Sequence, residues 1–140
     1  MTFEIDPRLL ANSMALPPLG LSDLRLMDDV RFPWLVLIPR VPGATELDDL
    51  DPAQRAVLIE EIALAGAMVR ALSQALDQPI NKLNTAALGN VTAQLHVHIV
   101  GRRRDDPLWP DPIWGRGPPV ARAEGETARL AALVSSDSPR

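Results

Sequence analysis

The sequence contains no cysteine among its 140 residues. This excludes a disulfide framework, thiolate catalysis and cysteine-ligated zinc, and leaves histidine and carboxylates as the only metal ligands. A basic surplus is also lacking: 14 Lys and Arg stand against 18 Asp and Glu, giving a formal net charge of −4. General nucleic-acid binding needs a basic surface to neutralise phosphates, so no nucleic-acid partner is expected, although a small phosphorylated ligand needs only a local patch. No apolar run approaches the ~20 residues of a membrane span. The stretch Met1-Thr2-Phe3-Glu4-Ile5-Asp6 carries acidic residues where a signal peptide carries basic ones. The expectation is a cytoplasmic protein with no membrane partner. No internal repeat is present.

With 46% hydrophobic and 23% charged residues, the composition is that of an ordinary globular protein, and the length suits one domain with a real core. A single domain over 1–140 is expected, with its core at about 20–105. Residues 106–140 read as a Pro- and Trp-rich extension with a mobile tail from Ser135 to Arg140.

Local signals predict the elements. Asp6-Pro7 is an N-cap followed by Pro at the first helical position, opening a short helix to about Met14 that Leu16-Pro17-Pro18-Leu19-Gly20 stops. Ser22 to Asp28 alternates as a strand, and the apolar run Trp34 to Ile38 reads as a central strand that forms a hairpin with it. Pro42 to Leu50 reads as a solvated loop. Asp51-Pro52-Ala53-Gln54 has the form of a capping box and opens a helix to about Leu76. Leu58, Ile62, Ala65, Val69, Leu72 and Leu76 make its apolar stripe, and Ala63, Gly66 and Ala67 allow close approach. Asn81 to Leu88 is a strand before a turn at Gly89-Asn90. A helix over about Gly125–Val134 follows the Pro-rich stretch.

Only two histidines occur in the chain. Both lie in Gln94-Leu95-His96-Val97-His98-Ile99-Val100, whose alternation reads as a strand with Gln94, His96 and His98 on one face. Paired imidazoles on a rigid strand can supply a nucleophile, a proton donor or two metal ligands. Antiparallel pairing through the Gly89 turn brings Asn84 and the loop backbone towards them, and the N–H groups of Gly89 to Val91 can cradle a phosphate. A metal site would need a third ligand, and no Asp or Glu stands at an obvious spacing.

The Gln94-x-His96-x-His98 pattern, with Asn84, the Gly89 turn, the long helix and the first hairpin in this order over roughly residues 20–105, resembles the histidine triad family. The resemblance implies an α+β fold, an antiparallel sheet of about five strands packed on the long helix, and usually a homodimer. It also implies binding of a purine nucleotide or nucleotide conjugate and cleavage at the α-phosphorus without a cofactor. His96 matches the nucleophile that forms a nucleotidyl-histidine, and His98 the donor to phosphate oxygens.

Gln94 stands where the commonest pattern has His. Its amide can orient neighbours or phosphate but carries no titrating proton. Among substrate-binding candidates, Asn84 matches a position beside the phosphate, with strand pairing as the competing role. Val91 or Thr92 stands where relatives often have a phosphate-binding Ser. Asp28 matches a ribose contact or is a solvated turn carboxylate. Arg102 shares the parity of His98 and is a further phosphate candidate. Trp109 and Trp114 read as aromatic anchors of an extended segment, with a base pocket or dimer contact as the alternative. Three functions follow: a nucleotide hydrolase or nucleotidyl transferase, a catalytically impaired nucleotide-binding module, or a histidine-carboxylate metal site.

Overall fold

The computed structural model describes residues 2–137. The long helix is the best-defined product of local sequence. Asp51 accepts the Gln54 N–H at 2.8 Å and Gln54 accepts the Asp51 N–H at 2.9 Å, with Pro52 at the first position, so the capping box forms as expected. Helix α2 then runs Pro52–Ala75. Its buried stripe holds Leu58, Ala65, Met68, Val69 and Leu72. Of the three small residues read as permitting close approach, Gly66 does so, since a Cβ there would lie 2.9 Å from Leu83 Cδ1. Ala63 and Ala67 face solvent.

The N-terminal helix is shorter than its signals suggest. Helix α1 spans Pro7–Leu10. The chain turns at Asn12, whose φ of 58° lies in the left-handed region that Asn tolerates. It then enters strand β1, Ser13–Leu16, which had read as helix end and stop. Strands β2 (Ser22–Met27) and β3 (Trp34–Pro39) form the expected hairpin, and β4 (Lys82–Ala86) and β5 (Val97–Arg102) pair antiparallel around Gly89. The five-stranded antiparallel sheet has the order β1-β2-β3-β5-β4. The segment read as a solvated loop contains a 3-10 turn at Leu47–Asp49. Helix α3, Glu126–Asp137, extends three residues beyond the expected Val134, so that Ser135 to Asp137 of the supposed tail are helical. Residues 138–140 lie outside the described residues.

Alternation gives the sheet two distinct faces. Leu24, Leu26, Leu35, Leu37, Val97 and Ile99 join α2 and Leu130 of α3 in the main core. The opposite face carries a smaller cluster of Phe32, Val100 and Ile113, with Trp34, Leu108 and Trp114 packed against it. Gly101 lies on the helix side, where a Cβ would come within 2.7 Å of Pro33 Cγ, 2.8 Å of Ile80 Cγ2 and 3.0 Å of Val69 Cγ1. The histidines therefore sit on the face that α2 leaves uncovered.

Candidate functional site

Strand β5 starts at Val97, later than the expected Gln94, so His96 stands at its entrance and Gln94 in the bend before it. His98 lies between Val36 of β3 and Ala86 of β4. The two imidazole centroids are 4.9 Å apart, with the ring planes at 78°. His96 is 6% exposed.

Partners fix the tautomer of each neutral ring. His96 Nδ1 lies 2.6 Å from the Gln94 carbonyl oxygen, which can only accept, so Nδ1 carries the hydrogen and, in the neutral ring, the lone pair is on Nε2. His98 Nδ1 lies 3.1 Å from Trp34 Nε1, which can only donate, so Nδ1 accepts and the hydrogen of the neutral ring is on Nε2. Burial, and then the adjacent His96, push the pKa of His98 from 6.5 down to about 4. The pair thus sets an unpaired ring nitrogen of His96 beside a neutral N–H donor of His98.

Both rings line a cavity of about 540 Å³, in the range of small-molecule sites. Its walls combine apolar groups (Leu9, Met27, Trp34, Val36, Trp114) with the turn backbone from Gly89 to Thr92. Gly89 has φ 74°, a conformation that favours glycine. The ring centroids of Trp114 and Trp34 each lie 5.6 Å from that of His98, with the planes tilted by 53° and 54°. The alternative account of Trp114 as a wall of the pocket is the one that its position supports, whereas Trp109 lies over Arg102.

Not all the candidates converge on the cavity. Gly89 and Val91 line it; Asn84, Asp28, Gln94 and Arg102 do not. Arg102 has the parity of His98, but four residues along a strand is about 13 Å. It is 1% exposed and pairs with Asp106 at 2.7 and 3.0 Å. Asn84 Oδ1 accepts from its Nη1 at 2.9 Å. The Asp28 carboxylate accepts the Arg122 N–H at 2.9 Å and the Thr127 hydroxyl at 2.8 Å, and the Arg122 N–H holds it below the usual carboxylate range. Gln94 turns its amide to the N-terminal segment: Oε1 accepts the Asp6 N–H and Nε2 donates to the Glu4 carbonyl, each at 2.8 Å. Among the described residues no cluster of three His, Cys, Asp or Glu could hold a metal.

This fold and histidine pair have counterparts. The HIT domain, named for the histidine triad, matches residues 19–105. The chain belongs to the HIT family. Over 97% of both chains it is 38% identical to a histidine triad protein from Sinorhizobium meliloti 1021, with a TM-score of 0.88. A histidine triad protein from Bradyrhizobium japonicum is 34% identical over 99% of this chain and 100% of its own, with a TM-score of 0.89. Another from Marinobacter aquaeolei VT8 is 33% identical over 99% and 100%, with a TM-score of 0.84. Comparison with curated proteins gave no match.

Two residues of the site in this HIT family chain escaped the sequence reading. Trp34 reads as an ordinary core residue of an apolar strand, and its indole N–H finds His98 only through the β3–β5 register. Arg8 reaches the cavity from the N-terminal segment, donating to the Val91 carbonyl at 3.1 Å across 83 positions of sequence. No local pattern carries either contact.

Proposed function

We propose that the protein is a nucleotide hydrolase or nucleotidyl transferase acting at the α-phosphorus of a nucleotide conjugate, such as a nucleoside phosphoramidate or a dinucleoside polyphosphate. Membership of the HIT family supports the nucleotide-binding hydrolase or transferase class in general. The observation that carries the assignment is the complementary tautomer pair: His96 Nε2 free to attack, with the neutral N–H of His98 beside it. His96 Nε2 forms a bond to phosphorus while the bond to the leaving group breaks, and the leaving group departs with the electron pair and takes up a proton. His98 Nε2–H donates to the phosphate oxygens as charge develops on them. Water then attacks phosphorus, breaks the P–N bond and restores His96. The apolar walls suit a purine ring, and we extend the assignment to a homodimer in the cytoplasm. Among the described residues no helix is long and apolar enough to cross a membrane.

The test is product release and intact-protein mass after brief acid-free quenching with adenosine 5′-phosphoramidate or a dinucleoside polyphosphate. His96→Ala is expected to lower turnover by on the order of 10³-fold or more and to abolish any nucleotidyl adduct. Normal turnover in that variant would refute the nucleophile assignment. A second reading, a nucleotide-binding module without useful catalysis, is favoured by Gln94, whose amide is committed to Glu4 and Asp6 rather than to the cavity. It requires nucleotide binding with neither adduct nor product in the unaltered protein.

A further inference from the structure

Gln94 joins two parts of the molecule that sequence keeps far apart. Its main-chain carbonyl holds His96 Nδ1–H, while its side-chain amide holds the Asp6 N–H and the Glu4 carbonyl. Those two peptide groups flank Ile5 on one edge of the backbone, so the amide binds the segment much as a neighbouring strand would. Two residues beyond, the Asp6 carboxylate accepts from Arg8 Nε and Nη2, each at 3.3 Å, while Arg8 Nη1 reaches the Val91 carbonyl. These contacts direct the guanidinium of Arg8, a side chain 63% exposed, to the wall of the cavity that holds His96 and His98. Three of its N–H donors are used in these contacts, out of the five that the group carries. Of the residues lining that cavity, Arg8 alone bears a permanent charge.

We infer that Arg8 binds phosphate beyond the α-phosphorus, and that Gln94 is the positioning residue that holds it there. The site then selects conjugates whose leaving group is itself phosphorylated over those with a neutral leaving group. Planar, many-donor guanidinium is well matched to phosphate oxygens. The cation arrives from the N-terminal segment because the 89–92 turn supplies only neutral groups. This specificity rests on the function proposed above, which supplies the α-phosphorus as its point of reference.

The experiment is calorimetric titration of the full chain with adenosine 5′-monophosphate and adenosine 5′-triphosphate, for the unaltered protein, Arg8→Met and Gln94→Met. The ratio of triphosphate to monophosphate affinity is expected to fall about tenfold in Arg8→Met, as for loss of a charge-assisted hydrogen bond. A comparable fall is expected in Gln94→Met, although that side chain does not line the cavity. Raised salt should shrink the difference between unaltered and Arg8→Met protein. An unchanged ratio in Arg8→Met overturns the phosphate contact, and an unchanged ratio in Gln94→Met alone overturns the positioning role. Binding without turnover in the unaltered protein would refute the catalytic proposal while leaving the ratio to decide on Arg8. No binding of either nucleotide would overturn both.

Discussion

Acidification tests the state of His98 directly. The folded protein holds its pKa at about 4 against an ordinary 6.5, so between these values the unfolded chain binds a proton that the folded chain refuses. Stability therefore rises with pH across this window, and it falls on acidification from pH 7. For this one group the loss is roughly 2 kcal/mol by pH 5 and roughly 3 kcal/mol by pH 4. Most of the lowered carboxylates act below this window: Asp6, Asp28, Asp49 and Asp106 start from 3.8, and their stabilisation is lost as pH falls through still lower folded values, while Glu126 starts from 4.5 and is shared by the His98→Gln control. With a urea slope of roughly 1–3 kcal/mol per molar, the loss at pH 5 moves the unfolding midpoint down by about 1 M. Urea titrations from pH 7 to pH 4 measure it, and His98→Gln, which carries no titrating group there, should show a flatter dependence. The His98 ring resonance followed by NMR should titrate near pH 4 in the folded protein. A midpoint near 6.5, or the same pH dependence in His98→Gln, would refute the reasoning.

Four further outcomes can be checked. Trp34→Phe keeps a ring but removes the donor to His98 Nδ1; nitrogen NMR shifts should show a mixture of tautomers, the titration midpoint should rise, and turnover should drop on the order of tenfold. Gly101→Ala drives a Cβ against Pro33, Ile80 and Val69, and thermal denaturation should show a loss of about 1–3 kcal/mol. Arg102→Met strands the buried Asp106 carboxylate, costing about 3–5 kcal/mol in urea titration, much of it recovered in the double variant with Asp106→Leu. Asp51→Ala removes the α2 cap at about 1 kcal/mol, with nucleotide affinity as the control that should stay put.

What was legible in the sequence was what local chemistry decides. The Asp51–Gln54 box and the apolar stripe specify α2 without any distant contact, and alternation specifies the faces of β2 and β5. Strand β1 was not legible, because Ser13–Leu16 is short and becomes a strand by pairing with Leu24 to Met27. The one local hint was Asn12, a residue type that accepts the left-handed turn. The histidine pair was legible from parity alone, since His96 and His98 stand two residues apart in an alternating run. The tautomers were not, for they depend on a carbonyl and an indole that only the folded chain brings to the rings.

The displaced candidates share a physical logic. Asp28 and Arg102 both lie near strand ends, and Asp28 suggested a ligand contact through the family resemblance, Arg102 through its parity with His98. Each instead binds the chain that follows β5. Arg102 holds Asp106, whose burial opposes ionisation but is outweighed by hydrogen bonds from Arg102 and from the N–H groups of Leu108 and Arg103. Asp28 holds Arg122 and Thr127, and the Arg122 guanidinium reaches the carbonyls of Met27 and Phe32. Between these two attachments the Pro-rich stretch passes back over the sheet and sets Trp114 at 5.6 Å from His98. The two residues therefore shape the cavity through the wall that they fasten. Gln94 in turn fastens, through Glu4 and Asp6, the N-terminal segment whose Arg8 and Leu9 line the cavity. With α2 covering one face of the sheet, the site on the other is enclosed by the 88–92 turn together with the two terminal segments, and polar anchors fasten those segments there.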